Sequence, residues 1–310
     1  MTIWHPEGAG MRVRGAVAGV LACVALAWAS LAQGAEQLIR YPAGVAPGDF
    51  RYAYPVRMLQ LALDKTAHEY GPARATQAPQ PMTTARIMAE LGRGELLDVA
   101  SFPAEHGLAQ QFVPVPICIR KGILGIRLLL IDGRRQAEFS AIHDLAGLKK
   151  LTAGQGRDWV DTRILQGNGF KVETTASYEG LFAMLMSGRF DFFPRGVYEP
   201  FMEVQQHAQQ MPHLALEKTL ALYYPSPDFF WVRKGNEALA ERLRKGLEAA
   251  VADGSYEKLF QREFAETIRT AHLDQRRILQ MDNPEYKAMP HAGDARYWLA
   301  DQQSTAKSRP

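Results

Sequence analysis

The chain has 310 residues, with 36 Lys and Arg against 33 Asp and Glu and a formal net charge of +3 at pH 7. Both signs of charge are mixed along the sequence without a basic block, which argues against a nucleic-acid-binding protein. A chain of this length can bury a sizeable core in one large domain or two smaller ones.

The N-terminal segment has the order of a cleavable signal peptide. Met11-Arg-Val-Arg forms a charged region, an apolar stretch covers 15–31, and small residues follow. We place the mature start between Gln33 and Glu36, which makes 1–35 the signal peptide, with the true start at the first methionine or at Met11. A membrane anchor is the alternative, but the stretch is short for a span and contains Gly and Ser.

Cys23 offers another interpretation of the same segment. The residues 20–23 loosely match a lipoprotein acylation motif, which would tether the protein to a membrane. The apolar run continues to Leu31, however, so a lipoprotein would begin with an apolar segment, and we favour cleavage. Cys118 is then the single cysteine of the mature chain, so no internal disulfide can form.

Beyond the signal peptide, strand-like and helix-like segments alternate, which predicts an α/β fold with a largely parallel sheet. In the first half the patterns predict helices over 56–70 and 83–92 and strands over 38–41, 97–100 and 123–131. Gly-Pro and Asp-Gly pairs end several of these segments.

A second α/β run follows. It is predicted to contain strands over 148–152, from 172, and over 190–193, 220–224 and 229–232, with helices from 158 and over 178–187, 237–252 and 256–264. The residues 154–156 are predicted to form a loop, Asp158 and Asp161 a weak capping box, and Ser177 an N-cap. Pro194 is predicted to close the strand 190–193.

The order of these segments predicts two lobes, with the second inserted into the first. We expect lobe 1 to comprise 36–130 and 222–300 and lobe 2 to comprise 131–221, followed by a disordered tail over 301–310. Two strands would cross between the lobes, near 127–131 and 220–224, and form a hinge that closes around a ligand.

Four phrases in this order resemble the type 2 periplasmic solute-binding proteins, in particular the branch of polar amino acid receptors (family 3-like). The phrases occupy 144–148, 178–191, 231–239 and 253–256. The resemblance covers nearly all of the mature chain and suggests a divergent member. It implies a two-lobed fold, a periplasmic location, a small-molecule ligand, and a permease of the ABC type or a membrane sensor as partner.

Two departures from this family concern the ligand. Amino acid receptors usually hold the ligand carboxylate with an Arg shortly after a lobe 1 strand, where this chain has His106. They usually hold the ammonium with an Asp after the Gly-Arg-x-Asp strand, where this chain reads Pro-Arg-Gly-Val-Tyr-Glu over 194–199. The resemblance therefore implies the fold and leaves the ligand open.

Ligands of open α/β sheets bind beyond the carboxyl ends of the strands, and this selects the candidate residues. The candidates are Arg195, Tyr198 and Glu199 after one strand, Gln155, Arg157 and Trp159 after another, and Ser101 and Tyr54 in lobe 1. Arg195 could grip a carboxylate or phosphate, or could pair with an acid such as Glu199. Trp159 could stack on the ligand or pack under the lobe.

These observations favour a monomeric receptor for a small polar, carboxylate-bearing solute, with no catalytic residue, no cofactor and no metal. The sequence contains no nucleophile elbow, no pair of His at metal spacing and no phosphate loop. An enzyme on the same scaffold, driven by Glu199 or Glu105, is the first alternative. A signalling partner that no longer serves transport is the second.

Overall fold

The computed structural model describes residues 1–3, 36–45, 49–283, 286 and 295–298 of the chain. Apart from residues 1–3, the predicted signal peptide lies outside the described residues, as do the acylation motif at Cys23 and the predicted tail over 301–310. In the part of the chain that is described, no helix is both long and apolar enough to cross a membrane.

The helices and strands alternate along the chain. The first half contains β1 (Gln37–Tyr41), α1 (Ala53–Lys65), α2 (Ala67–Tyr70), β2 (Ala73–Gln77), α3 (Thr84–Arg93), β3 (Val99–Pro103), α4 (His106–Gln111), β4 (Phe112–Val115) and β5 (Ile126–Asp132). The second half contains α5 (Gln136–Ser140), α6 (Leu145–Leu148), β6 (Thr152–Gly156), α7 (Val160–Gly167), β7 (Lys171–Thr175), α8 (Tyr178–Met186), β8 (Phe192–Gly196), α9 (Pro200–His207), β9 (Leu214–Leu216), β10 (Leu220–Tyr223), β11 (Asp228–Arg233), α10 (Glu237–Ala252), α11 (Ser255–Thr270) and β12 (Arg277–Gln280).

The strands pair in three sheets. β1 and β2 are parallel, and β3, β11 and β4 form an antiparallel sheet with β11 in the middle. The largest sheet has the order β12-β10-β5-β8-β6-β7, with β9 paired to β5. Its pairings are mixed, because β5 runs antiparallel to β8, β9 and β10. The sheet is therefore less parallel than the sequence predicts.

Among the residues that the structure describes, the apolar side chains gather in three clusters. The first cluster, around Trp231 and Tyr41, is the core of lobe 1. In lobe 2, Leu129 and Leu130 of β5 point into different clusters, because successive side chains of a strand alternate between the two faces of the sheet. Leu128 of the same strand belongs to the first cluster. β5 therefore runs from the core of lobe 1 into the core of lobe 2.

The strands β5 and β10 lie side by side where the lobes join. Leu222 pairs with Arg127, and Tyr223 pairs with Ile126, in antiparallel register. Just before β5, the N–H of Tyr224 donates to the carbonyl oxygen of Gly125 over 3.1 Å. A Cβ at Gly125 would lie 2.2 Å from the carbonyl oxygen of Tyr224, so only glycine allows this approach of the two chain segments.

The glycines at 154–156 belong to β6, so the predicted loop and the predicted strand over 148–152 are both wrong. Leu148 ends the short helix α6 instead. A Cβ at Gly154 would lie 2.1 Å from the Phe190 ring, and a Cβ at Gly156 would lie 2.5 Å from the Trp159 ring. Close packing of aromatic rings on the strand, rather than a turn, therefore accounts for these two glycines.

Pro194 lies inside β8 and does not end it, contrary to the prediction. β8 pairs with β6 at Phe192, so the later residues of β8 need no N–H on that side. The carbonyl oxygen of Pro194 accepts a hydrogen bond from the Gln155 side chain over 3.1 Å. The missing N–H of proline is therefore tolerated at this position.

The helix starts show one correct prediction and one wrong one. The Ser177 hydroxyl accepts from the N–H of Gly180 over 3.0 Å and caps α8, as predicted. Helix α7 begins at Val160 without a side-chain cap, because the Asp161 carboxylate faces Arg127 instead of the helix terminus. The predicted capping box is therefore wrong. Helix α10 has the predicted bounds, and α11 extends six residues beyond the predicted end to Thr270.

Candidate ligand-binding site

A cavity lies between the lobes, beside the strand β5. Lobe 1 lines it with Tyr41, Ser101 and Arg120, and lobe 2 lines it with Trp159 and Arg195. Its volume is about 120 Å³, and a single water molecule needs roughly 10–15 Å³ of such space. The cavity is therefore large enough for a small organic solute. We call it the central cavity.

Charged side chains dominate the wall of the central cavity. Four guanidinium groups and five carboxyl groups line it, namely Arg51, Arg120, Arg127, Arg195, Glu105, Asp158, Asp161, Glu199 and Asp228. The two signs are close to balance. A cavity of this kind suits a solute of low net charge better than a polyphosphate, because a highly charged anion would meet the carboxylates as well as the guanidinium groups.

Arg195, on β8, has its donors taken by carboxylates of its own lobe. Its Nε lies 2.9 Å from both carboxylate oxygens of Glu203, and its Nη2 donates to Glu203 Oε1 over 2.6 Å. The same Nη2 forms an ion pair with Glu199 Oε1 at 3.1 Å. Glu203 also accepts from the Tyr178 hydroxyl over 2.7 Å. Arg195 therefore pairs with acidic side chains, which is one of the two roles that the sequence left open for it.

The pKa of Arg195 reflects this arrangement. Burial acts to lower the pKa of the guanidinium, but the negative charges of Glu199 and Glu203 outweigh burial and raise the pKa above its ordinary value. The side chain therefore keeps its positive charge while only 2 % of the residue is exposed. A buried pair of this kind fixes the position of the groups that form it, and here it joins β8 to α9.

Arg127 and Arg120 differ from Arg195 because some of their donors are unpartnered. Arg127 Nη2 lies 2.6 Å from Asp161 Oδ1 as an ion pair, but without hydrogen-bond geometry. Arg127 Nε and Arg120 Nε are buried and have no hydrogen-bond partner among the described residues. Leaving a buried charged donor unsatisfied costs about 1–3 kcal/mol or more. A ligand with acceptor oxygens would remove that cost.

The carboxylates beside these two arginines are held in place. Asp228, at the start of β11, forms an ion pair with Arg120. Asp161, in α7, accepts a hydrogen bond from the buried Tyr224 hydroxyl. The Arg120 Nη2 donates to the carbonyl oxygen of Arg51 over 3.1 Å. Arg120 and Arg127 therefore have fixed positions in the wall of the central cavity.

Arg51 reaches from lobe 1 to the aromatic wall of lobe 2. Its Nε and Nη2 each donate to one oxygen of Asp49 over 2.7 Å. Its guanidinium carbon lies 4.2 Å from the centre of the Tyr178 ring and 5.6 Å from that of Trp159. Its Nη1 lies 3.8 Å from Glu199 Oε1. Arg51 therefore contacts both lobes.

Five of the predicted site residues line the central cavity: Arg195, Trp159, Tyr198, Glu199 and Ser101. Trp159 combines both of its proposed roles, because it lines the cavity and also stacks on Phe193 with the ring centres 6.2 Å apart. The Ser101 hydroxyl is hydrogen-bonded to the Tyr41 hydroxyl over 2.6 Å.

Three predicted site residues lie outside the wall of the central cavity. Gln155 is buried in β6 and donates to the Pro194 carbonyl, because 154–156 forms a strand rather than a loop. Tyr54 is buried in α1, and its hydroxyl donates to the carbonyl oxygen of Ile119 over 2.7 Å. The side chain of Arg157 is exposed, and this residue lines a smaller neighbouring cavity.

Several charged residues of the cavity wall are not among the residues predicted from the sequence. They include Arg51, Arg120, Arg127, Asp161 and Asp228. For Arg127 a signal was present, because it interrupts the apolar run of β5 and a buried strand rarely contains an unpaired charge. Arg51 gave no such signal, since its partners in lobe 2 are distant in sequence. In the described part of the chain, no group of His, Cys, Asp and Glu side chains is arranged to hold a metal ion.

Known proteins resemble the chain in structure rather than in sequence. No protein-family model matches it, and no curated protein does. An ancestral arginine-binding protein bound to arginine aligns with 19 % identity and a TM-score of 0.54, over 74 % of this chain and 99 % of that one. The fold is that of the two-lobed periplasmic binding proteins.

Two further structures with this fold are a sensor domain and another ancestral binding protein. A histidine kinase sensor domain with similarity to periplasmic binding proteins aligns with 14 % identity and a TM-score of 0.54, over 75 % of this chain and 97 % of that domain. An ancestral amino acid-binding protein, a precursor of cyclohexadienyl dehydratase, aligns with 13 % identity and a TM-score of 0.52, over 73 % and 95 %. At these identities the likeness shows the fold alone, which the four sequence phrases predicted correctly.

Proposed function

We propose that the protein is a periplasmic solute-binding protein that captures a small polar, carboxylate-bearing solute and passes it to an ABC permease or a membrane sensor. The observation that carries this proposal is the set of unpartnered guanidinium donors on Arg120 and Arg127. These donors are buried in the wall of a cavity between two lobes. A fold of this class and a cavity of this size both favour binding of a small solute.

A carboxylate is the ligand group that these donors fit best. Charge-assisted hydrogen bonds from guanidinium to carboxylate are short and roughly twice as strong as neutral ones, and the planar fork of Arg matches two oxygens. Two donor atoms of Arg127 and one of Arg120 have no hydrogen-bond partner among the described residues, although Arg127 Nη2 forms an ion pair with Asp161. A carboxylate would offer acceptor oxygens to these donors while adding one negative charge to a nearly balanced cavity.

Closure of the lobes about β5 and β10 would capture the solute. Both lobes line the central cavity, and Arg127 lies on β5, which enters the cores of both. A rotation about these strands would bring Trp159 and Arg195 of lobe 2 toward Ser101 and Arg120 of lobe 1. Hinge closure of this kind is one of the known transitions of two-lobed proteins.

Export through a signal peptide over 1–35 is part of the same proposal. A receptor of this kind needs to meet its solute outside the inner membrane. The mass of the mature protein purified from the periplasm tests it: an N-terminus between Gln33 and Glu36 is expected. A diacylated Cys23 at the N-terminus would show a lipoprotein instead.

A thermal-shift screen against organic acids, amino acids and small peptides tests the ligand class. At a hundredfold excess over Kd, a ligand stabilises the folded protein by about 2.7 kcal/mol. We expect acids to raise the melting temperature of the wild type and to have a weaker effect on Arg127→Lys. The control is Arg74→Lys, at an exposed arginine paired with Glu36. The absence of a shift with any carboxylate contradicts the proposal.

An enzyme on the same scaffold is the second candidate. Glu199 and Glu105 both line the central cavity, and one protein with this fold is a precursor of a dehydratase. Glu199 is held by the N–H of Gly196, which donates to its Oε2 over 2.6 Å. Turnover of a bound acid that disappears in Glu199→Gln would favour this candidate, whereas binding without turnover favours the receptor.

A signalling role is the third possibility, and one protein with this fold is the sensor domain of a histidine kinase. Signalling and transport differ in the partner rather than in the central cavity. Capture of a permease by the loaded protein in membrane extracts favours transport. Capture of a kinase or cyclase favours signalling.

A further inference from the structure

Arg51 lies in a recess of lobe 2 that has the composition of a cation-binding site. The recess is formed by the rings of Tyr178 and Trp159 and by the carboxylate of Glu199, and we call it the Arg51 recess. Arg195 borders the same recess, because its guanidinium carbon lies 5.0 Å from the centre of the Trp159 ring and its Nη2 pairs with Glu199. Arg51 is the cation that lies closer to the Tyr178 ring, at 4.2 Å against 5.8 Å for Arg195. An aromatic face within about 6 Å of a guanidinium attracts it through the ring quadrupole. A neighbouring carboxylate adds to this attraction.

Arg51 enters this recess from the other lobe. It lies in the turn of 3-10 helix over Phe50–Tyr52, directly before α1 of lobe 1. Only 10 % of its side chain is exposed. Burial acts to lower the pKa of this guanidinium, but Asp49, Tyr178 and Glu199 raise it well above its ordinary value. The recess therefore holds a permanent positive charge that the chain itself supplies.

Arg51 is also part of the wall of the central cavity, beside Glu199 and Trp159. A solute held by Arg120 and Arg127 would share the central cavity with this part of the wall. The carbonyl oxygen of Arg51 accepts from Arg120, so the two arginines lie close together. The recess and the carboxylate-binding donors therefore belong to one continuous site.

From these contacts we infer that Arg51 is a built-in occupant of a cation-binding subsite and determines which solutes the protein accepts. The inference rests on the proposed function, since it assigns the far end of a solute whose carboxylate is bound by Arg127. With Arg51 in place, a solute with a cationic far end meets a positive charge and finds the aromatic faces covered. The protein therefore selects acids that lack a cationic group.

Removing Arg51 should make the subsite available to the cationic group of a solute. The probes are 4-guanidinobutyrate and 6-methylheptanoate, which have the same shape and carry a guanidinium and an isopropyl group, respectively, at the far end. The wild type should prefer 6-methylheptanoate. In Arg51→Ala the preference should shift toward 4-guanidinobutyrate by about tenfold or more, because a desolvated cation–π contact becomes available to the solute. Isothermal titration calorimetry gives both dissociation constants.

Three further variants make the test specific. Arg51→Ser must show the same shift as Arg51→Ala. Adding Glu199→Gln to Arg51→Ala should remove most of the gain, because the carboxylate of the recess is then neutral. The control Arg74→Ala removes an exposed arginine of lobe 1 and should keep the wild-type preference.

A second measurement does not require a bound acid. Methylguanidinium should raise the melting temperature of Arg51→Ala and leave those of the wild type and Arg74→Ala unchanged, since the face of the Tyr178 ring that Arg51 covers is vacated only in the first protein. Acid binding without a shift in preference, together with no effect of methylguanidinium, overturns the inference and leaves the proposed function intact. Rescue by methylguanidinium without acid binding in any variant supports the recess and overturns the proposed function.

Discussion

Arg195 and Arg127 are buried arginines of the cavity wall that differ in how their donors are used. Each is 2 % exposed. Arg195 donates to both oxygens of Glu203, whereas Arg127 has two donor atoms without a hydrogen-bond partner in the described part of the chain. Burial and charge are therefore the same for the two side chains. The difference in satisfied donors separates a structural arginine from one that is available to a solute.

The largest expected effect on folding stability comes from removing the Glu203 carboxylate, which pairs with Arg195. Glu203 is fully buried, and Glu203→Ala leaves the Arg195 guanidinium without its main partner. Removing one member of a buried ion pair costs about 3–5 kcal/mol of folding free energy. Urea denaturation should show a loss of this size. Glu266→Ala, at an exposed pair with Arg269, should leave the midpoint nearly unchanged. Equal losses of folding free energy in Glu203→Ala and Glu266→Ala would contradict the structural role of the Arg195–Glu203 pair.

The next prediction compares two substitutions by their effects on solute affinity and on folding stability. Replacing either arginine by lysine keeps the charge but loses the planar fork. Arg127→Lys should weaken binding of the preferred acid by about tenfold, or about 1.4 kcal/mol, with a smaller change in stability. Arg195→Lys should do the reverse, because Glu203 rather than the solute loses its partner. Calorimetric titration and urea denaturation of both variants give the two pairs of values, and the same ranking in both measurements contradicts this expectation.

A smaller effect is expected at Ser101, which lines the cavity but has a satisfied hydroxyl. Ser101→Ala removes the hydrogen bond to Tyr41 and should cost about 1 kcal/mol of stability. The affinity for the solute should stay close to that of the wild type, because the hydroxyl is already used inside lobe 1. A large loss of affinity with unchanged stability would instead make Ser101 a ligand contact, as the sequence predicts.

The smallest effect is a pH-dependent one at Asp49. Burial acts to raise the pKa of this carboxyl, but the charge and hydrogen bonds of Arg51 hold it below its ordinary value. Its contribution to stability is therefore complete above the unfolded pKa of about 3.9 and is lost as the pH falls through the lower folded pKa. The stability difference between wild type and Asp49→Asn should be constant near neutral pH and shrink in acid. A difference that grows in acid would contradict the lowered pKa.

The alternation of strands and helices could be predicted from the sequence because it depends on local patterns. Helix α10 shows this best, since its apolar spacing and the Asp-Gly that follows it fix both ends. β6 could not be assigned correctly. Its glycines look like a turn, and only the approach of the Phe190 ring explains them. A sequence pattern records local conformation, and this constraint comes from a residue more than thirty positions away.

The same limit applies to the site. Arg195, Trp159 and Glu199 could be selected because they lie at or just beyond the carboxyl ends of strands that face the cavity. Arg51 could not be selected from the sequence. The recess that it enters is formed by residues 159, 178 and 199, which approach it only after folding. Nor could the sequence reveal that the Nε and Nη2 of Arg195 have hydrogen-bond partners and those of Arg127 do not. That distinction depends on the positions of individual donor atoms.

In the proposed receptor, the close contact between Gly125 and Tyr224 would serve as a narrow pivot between the lobes. The two chain segments touch there through backbone atoms, and Arg127 lies only two residues further along the same segment. A solute bound at Arg127 would therefore lie close to the axis about which the lobes rotate. A shift of an ångström or less at Arg127 would be magnified at the outer faces of the lobes. A permease or sensor could then distinguish related solutes by the angle at which the lobes come to rest.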